Sequence, residues 1–370
     1  MDSENDRQPV DPAPEESGAE DARPEEPAVK RHRFRGMAGW KKALIVLGVL
    51  LLVIAGGLTG TGFYLYERYD NKVSRESLLP SRSAEDIAKS EENWASGPLN
   101  LLLLGSDSRA EEPDEESPIG ERSDTIMLLH IAKARDHATF ISIPRDSYVD
   151  VPAGGNWKGG KNKINSAFAF GGAPLTAATV SKLTGVTLDG AMIADFASIR
   201  EMVDAVNGVN VCTWTKVTSL HTGRVWNPGC HDMDGEVALD FVRQRYSVEG
   251  GDFGRMRNQQ TVVKALITKV QSSGALTNPL KLDTLLGIAA EALTVDESLD
   301  LRDLAFKVRD LRPDAIDYLT VPDTGVGLDT SAGSAVELDP DLSASLFKAV
   351  ADDTVPQWLA ENPQEATPGS

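Results

Sequence analysis

The sequence predicts an α/β layered domain, one sheet covered by helices, behind a single transmembrane helix. Three observations predict it. Near the N-terminus lies a 24-residue run without charge, Ala43 to Tyr66. Beyond Leu99, short β-rich apolar runs end in glycine or proline, and amphipathic helical segments alternate with them.

The first 29 residues hold ten Asp/Glu and two Lys/Arg with almost no large apolar side chain. Such a segment buries too little surface to offset ordering entropy, so 1–29 is expected to be a disordered acidic tail. Residues 30–42, "KRHRFRGMAGWKK", carry six Lys/Arg. The uncharged run at 43–66 is about 36 Å long as a helix at 1.5 Å per residue, enough to cross a hydrocarbon core of about 30 Å. The basic block puts the N-terminus in the cytoplasm, and Trp40, Tyr64 and Tyr66 sit where interfacial aromatics belong. A cleaved signal peptide is the alternative, but no A-x-A site follows the run. Everything after Glu67 is then extracytoplasmic, with 67–97 as a polar stalk, 98–360 as the folded domain and 361–370 as a disordered end. Cys212 and Cys230 both fall in the exported part. An oxidising compartment favours a disulfide between them, worth about 3 kcal/mol, over two separate buried thiols.

Within the domain, "LNLLLLG" (99–105), "DTIMLLHIAKA" (124–134) and "ATFISIPRD" (138–146) read as strands. The segment "APLTAATVSKLTG" (173–185) reads as a helix stopped by Gly185. So does "DFASIREMVDAVNG" (195–208), with Ile199, Met202, Val203 and Val206 on one stripe. "VNVC" and "AIDYLTVPD" read as strands. The segments after Arg257, between 280 and 311, and at 341–353 read as helices.

The whole chain has a formal net charge of −19, which argues against general nucleic-acid binding. Against that background "DFVRQRYSVEGGDFGRMRNQQ" (240–260) concentrates Arg243, Arg245, Arg255 and Arg257. Arg243 and Arg245 are two apart and face the same way in extended backbone. Arg255 and Gln259 are four apart on a helix, at the head of the inward stripe Val262, Val263, Leu266 and Val270. A buried guanidinium needs an anion or a full hydrogen-bond set, and its planar fork suits phosphate oxygens. Arg257 lies off the stripe and reads as a surface charge.

Three strand ends each deliver an arginine with an aspartate: Asp107 and Arg109, Arg122 and Asp124, Arg145 and Asp146. Local ion pairing accounts for any one of them. If the strands are neighbours, Asp107 and Asp124 meet at one edge, an oxygen-rich place for a hard divalent cation. Together with the arginines, this describes a site for phosphate or pyrophosphate. The P-loop-like "GNWKGGKN" (155–162) lacks the final Ser/Thr, "SLFK" (345–348) lacks partner motifs, and the five histidines show no metal-ligand spacing.

The succession "LLLLGSDSR", "RSDTIMLLHI", "ISIPRDSYV", "KINSAFAFGG", "DGEVALDFVRQR" and "DFGRMRNQQ", from about Leu99 to Ala275, resembles the LytR-CpsA-Psr family. The acidic insertion at 111–121 lengthens one loop relative to many members. The resemblance implies a single α/β/α layered domain with a central mixed sheet and an apolar tunnel for a lipid tail. It implies a phosphotransferase that moves a glycopolymer from a polyprenyl-pyrophosphate carrier to a hydroxyl of peptidoglycan. It implies Asp107 and Asp124 as ligands of Mg²⁺ or Mn²⁺, and Arg122, Arg145, Arg243, Arg245, Arg255 and Gln259 around the pyrophosphate. Asp124, Arg122 and Arg145 would be catalytic, with Arg109, Asp146, Lys163 and Asn165 in support. A pyrophosphatase on the same lipid, or a non-enzymatic module binding lipid-linked glycan, are the alternatives.

Overall fold

The structure is a computed structural model that describes residues 73–106, 123–274 and 278–367. The expected tail, basic block and transmembrane run, at 1–66, lie outside these residues. Among the described residues no helix is long and apolar enough to cross a membrane.

The strands in chain order are β1 (Ser74–Glu76), β2 (Leu99–Ser106), β3 (Ser123–Ile131), β4 (Ala138–Ile143), β5 (Tyr148–Val151), β6 (Gly160–Lys163), β7 (Gly190–Asp195) and β8 (Val209–Thr213), followed by β9 (Val217–Thr218), β10 (Val225–Trp226), β11 (Gly229–Met233), β12 (Leu293–Asp296), β13 (Ile316–Thr320), β14 (Asp323–Thr330) and β15 (Gly333–Leu338). Seven of them form one mixed sheet, in the order β1-β12-β7-β2-β3-β4-β13. The others pair as antiparallel ribbons, β5 with β6, β8 with β11, β9 with β10 and β14 with β15.

The described helices are α1 (Ala84–Ser96), α2 (Ser166–Thr184), α3 (Phe196–Ala205), α4 (Gly235–Arg243), α5 (Asp252–Ser272), α6 (Pro279–Ala292), α7 (Leu301–Val308), α8 (Pro340–Ala351) and α9 (Val355–Glu361). The period of two in β2 explains why they cover both faces of the sheet. Leu102 and Leu104 pack with Val180 of α2, Leu346 of α8 and Trp358 of α9, whereas Leu101 and Leu103 pack with Val263 of α5 and Leu304 of α7. A strand apolar on both sides is buried on both sides, and the three layers follow. Gly185, in the left-handed conformation at φ 73°, stops α2 as its sequence predicts.

Three expectations change. Residues 73–97 are not a bare stalk: β1 pairs in parallel with β12 at the sheet edge, and α1 is tied to the core. The tie is Asp189, which accepts from Asn93 Nδ2 of α1 at 2.9 Å and from the Asn100 N–H of β2 at 2.8 Å. The end at 361–370 is ordered through 367, where Thr367 Oγ1 donates to Gln260 Oε1 and Ala366 bridges Leu319. Third, "DFVRQR" is not extended. Ala238, Leu239, Phe241 and Val242 are the buried face of α4, and Asp234 caps that helix by accepting from the Val237 N–H. Cys212 and Cys230 are directly opposite in the β8–β11 ribbon and are disulfide-bonded.

Asp189 supplies a pH test of this packing. Burial pushes its carboxyl up to about 6, against 3.8 for the ordinary group. The folded chain therefore binds a proton that the unfolded chain releases, and this contribution to stability falls as pH rises between those two values. A shift of about two units corresponds to about 2–3 kcal/mol. Urea unfolding of Asp189→Asn across pH 4–7 should show a correspondingly flatter pH dependence than the parent.

Candidate active site

The sheet register gathers the candidate residues. β3 runs antiparallel to both β2 and β4, with Gly105 opposite Thr125 and Ile126 opposite Ile143. The end of β2, the start of β3 and the end of β4 therefore lie at one edge. These are the three places where the sequence sets arginine beside aspartate. Asp107, Arg109 and Arg122 lie outside the described residues, as does the side chain of Asp124. Gly105 is required at this edge, because a Cβ there would stand 2.7 Å from the Thr125 Cβ.

Arg145 follows β4 after Pro144, and its turn is clamped from β6 and the start of α2. The Asn165 N–H donates to the Arg145 carbonyl at 3.1 Å, and the Ile164 N–H to the Ser147 carbonyl at 2.9 Å. Lys163 Nζ stands 3.3 Å from Asp146 Oδ1, and Arg145 Nε 3.8 Å from Asp146 Oδ2. Lys163, Asn165 and Asp146 thus surround Arg145 as supports.

The second half of the cluster comes from α5. Arg255 is 7% exposed and reaches Asp252 Oδ1 at 2.7 Å, one turn back on the same helix. Arg145 and Arg245 approach that same oxygen, each with Nε at 3.5 Å. Three guanidiniums from three parts of the chain therefore converge on one carboxylate at a helix N-terminus. Among the described residues, Lys163 and the three arginines, four cations, face the two carboxylates Asp146 and Asp252. The dipole of the 21-residue α5 adds positive potential at its first turn. Arg243 ends α4 and is exposed, and buried Gln244 separates it from Arg245. Arg257 points elsewhere and donates to the Glu249 carbonyl at 2.8 Å.

Behind these charges lies an apolar cavity of about 280 Å³ between the sheet and α5. Met127, Phe140 and Met192 line it from the strands, and Val262, Val263 and Leu266 from the helix. Gly105, Thr125 and Gln259 mark its polar end. Gln259, one turn beyond Arg255, is buried with an Oε1 that has no hydrogen-bond partner among the described residues. An apolar cavity whose polar end, at Gln259, lies one helical turn from Arg255 suits an amphiphile with an anionic head.

Asp252 was not singled out in the sequence. An acid in the first turn of a helix usually complements the dipole, and that ordinary role conceals this one. The cavity was equally unreadable residue by residue, since its lining looks like core. Removing the shared counter-charge leaves several partly buried guanidiniums facing one another. Asp252→Ala should therefore lose about 2–3 kcal/mol in denaturant unfolding, below the full cost of breaking a buried pair because the carboxylate is 17% exposed. Added inorganic pyrophosphate should restore part of that loss, and stabilise the variant more than the parent.

The chain matches the LytR_cpsA_psr family over residues 63–343. It is 30% identical over 283 residues to the polyisoprenyl-teichoic acid–peptidoglycan teichoic acid transferase TagU of Enterococcus faecalis, covering 76% of this chain and 85% of that one. It is 34% identical over 259 residues to the probable cell wall biosynthesis protein LcpB of Corynebacterium glutamicum, covering 68% of this chain. The match spans 58% of that relative's own length. Among solved structures, protein gbs0355 from Streptococcus agalactiae shares the fold with a TM-score of 0.60 at 23% identity, over 72% of this chain and 89% of that one. TagT bound to LIIa-WTA superposes with a TM-score of 0.56 at 25% identity, over 70% of this chain and 92% of that one. The chain belongs to the LytR-CpsA-Psr family and is similar to its glycopolymer transferases of cell-wall biosynthesis.

Proposed function

We propose that this protein transfers a glycopolymer, as its phosphate, from a polyprenyl-pyrophosphate carrier to a hydroxyl of peptidoglycan. The observation that carries the reading is the continuity of the apolar cavity with the arginine cluster along one helix, Arg255 and Gln259 leading into Val262, Val263 and Leu266. The tail occupies the cavity and the pyrophosphate takes the place that Asp252 fills between Arg145, Arg245 and Arg255. The membrane run at 43–66 would hold the domain, outside the cytoplasm, at the surface where such a carrier resides.

In the reaction, the acceptor hydroxyl oxygen attacks the phosphorus nearest the glycan and forms the new P–O bond. The bond from that phosphorus to the bridging oxygen breaks, polyprenyl phosphate leaves, and the hydroxyl proton passes to Asp124. Charge grows on the leaving oxygens, and Arg145, Arg245 and Arg255 are already oriented to meet it, which lowers the barrier without reorganisation. Arg122, which precedes β3 in the sequence, would act with them, and exposed Arg243 from the rim. The donor chemistry of Asp107 and Asp124, hard carboxylates on adjoining strand ends, fits Mg²⁺ or Mn²⁺. Such an ion would add charge neutralisation on the same oxygens.

The test is product analysis with the full-length protein, polyprenyl-pyrophosphate-linked sugar, peptidoglycan fragments and Mg²⁺. Mass spectrometry should find sugar phosphate joined to the fragment, and Arg145→Ala or Arg255→Ala should reduce this by at least about 100-fold. Free sugar phosphate formed in the presence of acceptor would instead mean hydrolysis. Lipid binding without either product would mean a binding module.

The cavity makes a separate prediction. Leu129→Trp, four residues along β3 from the polar end at Thr125, should fill part of it and raise KM for a long-chain carrier several-fold, with little effect on a short-chain analogue. Each CH₂ denied burial costs about 0.8 kcal/mol. Steady-state kinetics on the two chain lengths checks this.

A further inference from the structure

Between Asp204 and Asp232 the chain contains no aspartate or glutamate, in a protein whose net charge is −19. That acid-free stretch carries Lys216 and Arg224, both exposed. It also carries exposed apolar side chains: Trp214 is 52% exposed, Leu220 63% and Val225 45%. With Tyr246 at 82%, these are four of the seven large hydrophobic residues exposed among the described ones.

Three of the four, Leu220, Val225 and Tyr246, gather at one ribbon, and Trp214 leads into it. In the β9–β10 ribbon Val217 opposes Trp226, both buried, so the other pair, Thr218 and Val225, faces away from the core. The Ser247 hydroxyl donates to the Thr218 carbonyl, which brings Tyr246 beside that outward pair. The Leu220 N–H donates to Gln244 Oε1 at 3.0 Å, fixing the ribbon's turn against the end of α4. Trp214 stands just before β9 and shares a groove with Lys264 and Lys269 of α5. The surface also adjoins the arginine cluster, since Arg245 lies 5.2 Å from the Tyr246 ring and 3.5 Å from Asp252.

We propose that this ribbon, with Tyr246, is the face that rests on the bilayer, its aromatic and aliphatic side chains among the headgroups and its cations on anionic lipid. Trp and Tyr prefer that depth, and lysine and arginine are drawn to an anionic surface. Leu220 and Val225 offer no polar group to pair with sugar hydroxyls, which favours lipid over glycan as the occupant. Docked in this way, the arginine cluster stands at headgroup height, where a lipid-borne pyrophosphate lies. The inference goes beyond the transfer reaction and does not depend on the acceptor.

The two native cysteines are joined, so an introduced thiol is the only free one. Full-length protein carrying His221→Cys, or Ala134→Cys on the β3–β4 turn at the end of the sheet opposite the arginine cluster, would be labelled with a polarity-sensitive fluorophore. Each would be incorporated into vesicles with doxyl-labelled lipid, of phosphatidylcholine alone or with phosphatidylglycerol. Flotation reads association of the whole chain, and quenching reads this surface. We expect strong quenching at 221 and little at 134, greater with phosphatidylglycerol. Lys216→Glu with Arg224→Glu, or Leu220→Ser with Val225→Ser, should reduce it several-fold while flotation persists. Failure to float, flotation without quenching at 221, or equal quenching at both positions would overturn the proposal. So would a label that responds to an acidic glycan and not to the bilayer.

Discussion

Guanidinium groups withdrawn from water must have a counter-charge, and the rest of the site is arranged around that need. Arg145 and Arg255 are 14% and 7% exposed, and both are held on Asp252 together with Arg245. Asp252 is shared by three guanidiniums, of which Arg145 also approaches Asp146. A pyrophosphate carries more charge and more acceptor oxygens than a carboxylate, and each arginine can meet it with two parallel hydrogen bonds. On the proposed reading Asp252 would be an internal stand-in, holding the arginines until a better anion takes its place.

The same constraint explains why sheet, helix and cavity cannot be considered separately. Arg145 depends on the turn after β4, which the backbone bonds from Ile164 and Asn165 fix. Arg255 depends on the first turn of α5, whose later turns supply one wall of the cavity through Val262, Val263 and Leu266. A helix that sets its polar first turn at the anion and its apolar stripe along the tail reads both ends of an amphiphile at once. Moving α5 to widen the cavity would also move Arg255, so tail occupancy and head-group geometry are mechanically linked.

Much of this was legible in the sequence because the physics is local. "LNLLLLG" announces a strand buried on both faces, and Gly185 ends its helix by the left-handed conformation that glycine permits. Arginine beside aspartate at three strand exits pointed to one edge once those strands proved to be neighbours. What escaped depends on contacts distant in sequence. The run at 73–97 looked polar, yet β1 joins the sheet through β12, more than 200 residues away. "DFVRQR" alternates like a strand only at its arginines, whereas its buried residues follow the helical period. Nothing in the sequence distinguishes Asp252 from any acid in the first turn of a helix, and only the fold brings Arg145 and Arg245 to it.

The most direct test is an experimental structure of the full-length protein with a polyprenyl pyrophosphate bound. The account predicts the tail in the cavity beside Met127 and Val263, and the pyrophosphate among Arg145, Arg245 and Arg255 with Asp252 displaced from them. A lipid bound elsewhere, with the three arginines still closed on Asp252, would contradict it.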